Sequence, residues 1–121
     1  MKTEKFKVIE FIRQLLIMID QELENFPKKE IEIKNRIKTN SYDVLELSYE
    51  ANSIEDRGYK IEILQKILAK IKVIDFLLNL SLDKEMINTK KYLKLASKID
   101  DITKYTAGWI NSIEGKKKSN I

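Results

Sequence analysis

The chain contains no cysteine and no histidine. Without cysteine there is no disulfide frame, no thiolate nucleophile and no structural zinc site of the usual kind, which fits a reducing, cytoplasmic setting. Without histidine most general-base, triad and metal constellations disappear, including the inward Glu-x-x-His pairs of di-iron bundles and the helical RNases that use a histidine. One proline and three glycines are too few for the many turns of an all-β chain. Gly58, Gly108 and Gly115 also stand too far apart to cradle a phosphate, and no Walker A loop is present. No apolar run approaches the ~20 residues of a bilayer span. Lys2, Lys5 and Lys7 lead into apolar residues, but Glu4, Glu10, Arg13 and Asp20 interrupt them, so the start reads as a helix and not as a signal peptide. These absences predict a non-catalytic protein with no cofactor, no metal and no membrane.

What is present favours helices. The chain has 121 residues, 43% hydrophobic and 35% charged, enough for one core. Apolar spacing of three and four predicts helices over about residues 3–25, 29–53, 57–82 and 89–114, within one domain of residues 1–114, followed by a basic flexible tail at 115–121. The first helix carries Ile9, Ile12, Leu16, Ile19, Leu23 and Phe26 as its core stripe and stops at Phe26-Pro27. The second has a thinner face of Ile33, Ile37, Val44, Leu47 and Ala51, with Asn40 and Ser48 near it. Asp56 offers an N-cap to the third helix, where Leu64, Ile67, Ile71, Ile74 and Leu78 repeat the spacing. Asn88 offers a cap to the fourth. There Tyr92, Leu95, Ile99, Ile102, Thr106, Trp109 and Ile113 alternate without a miss. The expected fold is all-α, an antiparallel up-and-down four-helix bundle.

Two further patterns bear on function. Val8, Phe11, Leu15 and Met18 form a second apolar stripe on the first helix, and Val73, Phe76 and Leu80 broaden the third. A monomer that left these wet would expose an unusual apolar patch, so they predict a homo-oligomer or partner interface. The basic residues also form ridges. Lys34 and Lys38, Lys66 and Lys70, and Lys90, Lys94 and Lys98 each recur four apart, a spacing that can follow successive phosphates. Residues 61–121 carry 12 basic and 7 acidic side chains, against 11 and 12 in residues 1–60. Glu30 and Glu62 stand four residues before Lys34 and Lys66, which is ordinary ion-pair spacing, and no helix-turn-helix, RNP or KH signature accompanies the lysines. Asp100-Asp101 points two ways, about 100° apart, as a solvated pair does.

Several landmarks, taken in order, resemble the accessory variability proteins of diversity-generating retroelements. They are Phe26-Pro27-Lys28, Glu50-Ala51-Asn52 with Arg57, Leu77-Leu78 through Asn88, Tyr92, and Gly108-Trp109, spanning most of the chain. Asn79 stands where that family often has arginine, and Ala107 where it often has a second glycine. The resemblance implies a ring-like homo-oligomer, a pentamer, that binds a reverse transcriptase and its template RNA or RNA/cDNA and supports mutagenic cDNA synthesis; the polymerase supplies the chemistry. Arg57 is the basic position carried over by motif. Lys34, Arg36 and Lys38 lie in a stretch that is basic in many relatives, whereas Lys66, Lys70, Lys90, Lys94 and Lys98 come from the face argument alone. The alternative is a structural oligomer without nucleic-acid contact, related to the four-helix proteins of ribosomal RNA intervening sequences.

Overall fold

The computed structural model describes the backbone of residues 2–115 and the side chains of residues 5–115; the lysine-rich part of the expected tail, residues 116–121, lies outside them. Four helices form: α1 (Lys2–Glu22), α2 (Ile31–Ser53), α3 (Arg57–Asp83) and α4 (Thr89–Glu114). A single 3-10 turn, Lys28–Glu30, precedes α2, and no strand occurs among the described residues. Each helix packs on its sequence neighbours and α1 packs on α4, while among the described residues the backbones of the diagonal pairs stay apart. The result is a four-cornered arrangement around one core, as a helical bundle requires.

The caps read from sequence form. The Asp56 carboxylate accepts the Tyr59 amide at 2.8 Å, and the Asn88 side chain accepts the Lys91 amide at 2.8 Å. α1 stops three residues earlier than expected, because a turn over residues 23–25 is needed to lead into the extended Phe26-Pro27 step. α3 ends in a Schellman turn: Met86 donates to the Ser81 carbonyl and Glu85 to that of Leu82, with Glu85 in the left-handed region at φ 61°. α4 ends similarly at Gly115, φ 76°, a conformation glycine adopts without a Cβ penalty.

The core corrects the reading of α1. Its fully buried line is Val8, Ile12, Leu15, Ile19 and Leu23, while Ile9, Phe11, Leu16 and Met18 are half-buried on either side. The two apolar stripes are thus the two edges of one wide buried face, since one residue turns the helix by only about 100°. Val8 and Leu15 therefore belong to the chain's own core and are not available to a partner. On α2 the thin apolar face is completed by Ser41 and Ser48, both buried, whose hydroxyls donate to the Ile37 and Leu45 carbonyls at 2.7 and 2.6 Å. Trp109 is buried and packs, and Tyr92 is half-buried with its hydroxyl accepting from Asn79 at 2.9 Å.

Candidate functional site

The nine basic residues expected to meet nucleic acid divide into two groups. Lys38 pairs with Asp20 at 3.5 Å, Lys70 with Asp43 at 3.3 Å and Lys94 with Glu22 at 3.0 Å, each bridging two helices. Lys98 is held most completely: its ammonium donates to the Gln14 side chain at 2.6 Å, lies 4.7 Å from the centre of the Phe11 ring and stands 4.0 Å from Asp101. Arg57 donates to the Ile113 carbonyl and so ties the start of α3 to the end of α4. Lys34, half-buried, and Arg36, Lys66 and Lys90, all exposed, have no ion pair among the described residues.

The expected ridge on α4 is therefore not one ridge. Residues four apart drift by about 40° around a helix, so Lys90 stands outward while Lys94 and then Lys98 turn into the seam with α1. The expected i,i+4 pairs do not form either. Glu30 pairs instead with Lys84 at 3.2 Å, on the α3–α4 connection. The partners that matter stand 18 to 84 residues away in sequence, beyond the reach of local spacing. These pairs are partly exposed, and bonds of that kind contribute only ~0–1 kcal/mol each.

The apolar candidates divide as well. Val73 and Phe76 on α3 remain 45% and 63% exposed, with Leu80 half-buried beside them, so this flank is open as expected. The exposed apolar residues of α1 are not those expected from its second stripe: they are Phe6 and Ile17, accompanied on α2 by Tyr42 and Tyr49. Sequence periodicity missed Phe6, Tyr42 and Tyr49 because their neighbours three and four residues away are mostly polar, and Ile17 because it lies inside the apolar run Leu15–Ile19.

Two groups have shifted acidities. The Tyr59 hydroxyl donates to Glu50 at 3.2 Å, and that bond, with the Glu50 charge, raises the phenol above its usual range. Asp75, half-buried between α3 and α4, is raised by burial and then by the charge of Asp100. Among the described residues no three acidic, histidine or cysteine side chains converge as metal ligands, and no helix is long and apolar enough to cross a membrane. An open cavity of about 510 Å³ at the α3–α4 connection is lined by Leu82, Glu85, Met86, Ile87, Asn88, Thr89 and Lys91.

No family model matches the chain, and no curated protein or solved structure does either.

Proposed function

We propose that the chain is a non-catalytic accessory protein of a diversity-generating retroelement, an antiparallel up-and-down bundle that binds a reverse transcriptase and its template RNA in the cytoplasm. The antiparallel reading is supported by paired levels: Glu22 meets Lys94 while Phe11 meets Tyr105, and Asp43 meets Lys70 while Glu50 meets Tyr59. The observation that carries the RNA reading is the group of cations without an ion-pair partner among the described residues, Lys34, Arg36, Lys66 and Lys90, on α2, α3 and α4. The open flank of Val73, Phe76 and Leu80 supports a protein contact, either with the polymerase or between neighbours in the pentameric ring that the resemblance implies.

The test is binding to a structured template RNA across a salt series. Four phosphate contacts give a slope of roughly −3 to −4 in log K against log salt. Changing Lys34, Arg36, Lys66 and Lys90 together to glutamine should flatten the slope and lower affinity at least ten-fold. No RNA binding at low salt would remove the proposal. The second reading, a structural oligomer without nucleic-acid contact, is favoured by the engagement of Lys38, Lys70, Lys94 and Lys98 with the chain's own side chains. It predicts that same absence of binding.

A further inference from the structure

The outer face shared by α1 and α2 places four large apolar side chains in solvent: Phe6 at 61%, Ile17 at 59%, Tyr42 at 55% and Tyr49 at 47% exposure. The Lys38–Asp20 pair fixes the relative level of the two helices. With the antiparallel arrangement proposed above, seven residues back from Asp20 and seven forward from Lys38 are the same climb of about 10 Å. Arg13 therefore stands level with Leu45 and Glu46, Ile17 level with Tyr42, and Phe6 within about one turn of Tyr49. By helical rotation Phe6, Arg13 and Ile17 share an arc of about 40°, and Tyr42, Glu46 and Tyr49 one of about 60°. Arg13 and Glu46 are exposed and have no ion-pair partner among the described residues.

We infer that this face docks on the same face of a second copy, about a two-fold axis parallel to the helices. That rotation keeps every level and exchanges the two helices, so α1 of each copy lies over α2 of the other. Arg13 then meets Glu46 of the second copy, Ile17 meets Tyr42, and Phe6 meets Tyr49, each contact made twice. Apolar and charged character thus match at three successive levels, apolar, charged and apolar. The four apolar side chains offer roughly 400 Å² per copy, about half of the ~800 Å² a standard interface takes from each partner. The flanking backbone and polar residues supply the remainder. A two-fold contact closes on itself, whereas a ring needs a head-to-tail contact, so this interface is separate from the ring of the proposed function.

Sedimentation at micromolar concentration tests it, with the full chain and with the Arg13→Glu, Glu46→Arg and doubly reversed variants, each checked for unchanged helical circular dichroism. The expected species is twice the 14.3 kDa chain mass, or ten copies where the ring of the proposed function forms as well. Either single reversal should weaken the dimer at least ten-fold, and the double reversal should restore it. A 14.3 kDa monomer at 100-fold higher concentration overturns the inference, as does a five-copy species indifferent to both reversals or a double variant that fails to re-associate. RNA binding is read on the same samples. A dimer without it leaves this interface standing and removes the proposed function, whereas RNA binding by a monomer or a five-copy ring does the reverse.

Discussion

The seam between α1 and α4 and the seam between α1 and α2 share one helix but are closed in different ways. Along α4, Phe11 and Tyr105 meet with ring centres 5.5 Å apart, Lys7 and Lys98 lie over those rings, and Glu22 pairs with Lys94. Lysine stems cover the apolar edge there and their ammonium groups are consumed in doing so. Along α2, among the described residues, the Lys38–Asp20 pair bridges the two helices, and Ile17, Tyr42 and Tyr49 end in solvent. A lysine-rich sequence therefore says little about which cations are available. Lys98 closes a seam, whereas Lys66, on an outer face, is uncommitted.

The largest expected effect separates the two sides of α1. Leu15 is 1% exposed and Ile17 is 59% exposed, although they are two residues apart. Leu15→Ala should lose roughly 2–5 kcal/mol of stability, the cost of a core cavity. Ile17→Ala should stay within about 0.5 kcal/mol when measured by urea unfolding at concentrations where the chain is monomeric. Similar losses for both would mean that α1 is rotated from the position described.

That contrast also marks what the sequence could tell. Periodicity located all four helices, and local chemistry located the Asp56 and Asn88 caps, because both act within a few residues. The core stripe of α4 was legible for the same reason: its apolar positions are flanked by polar ones on both sides. α1 was harder, since a helix apolar over half its circumference gives two stripes of equal quality, and only the positions of α2 and α4 decide that Val8 and Leu15 face inward. The site was less legible than the fold. Whether Lys98 is a phosphate ligand or a clasp depends on Phe11 and Gln14, more than eighty residues earlier.

An intermediate effect is expected at that clasp. Lys98→Ala removes a cation from an aromatic face and a hydrogen bond to Gln14, and should cost about 1–2 kcal/mol. Lys66→Ala, with no such contacts, should cost less than about 0.5 kcal/mol. For RNA binding the order should reverse, Lys66→Ala weakening it more than Lys98→Ala. Equal losses of RNA affinity would show that the clasp opens on binding and that the two seams differ less than their geometry indicates.

The smallest effect concerns the α3–α4 seam, where Asp75 and Asp100 bring like charges toward each other. Burial, followed by the Asp100 charge, raises the Asp75 carboxyl, so the folded chain holds this proton to a higher pH than the unfolded chain does. As pH rises from the acid side, the unfolded chain releases its proton first. Stability from this group therefore falls between the ordinary carboxylate range and the raised value, and stays reduced at neutral pH. Asp75→Asn, which keeps the shape without the charge, should raise the melting temperature slightly at pH 7 and make no difference near pH 3. Asp100→Asn should show the same sign with a smaller gain, because its charge is the second of the two causes. If Asp75→Asn proves less stable at pH 7, the carboxylate has a favourable partner there, and the α3–α4 seam is held by charge as the α1–α4 seam is.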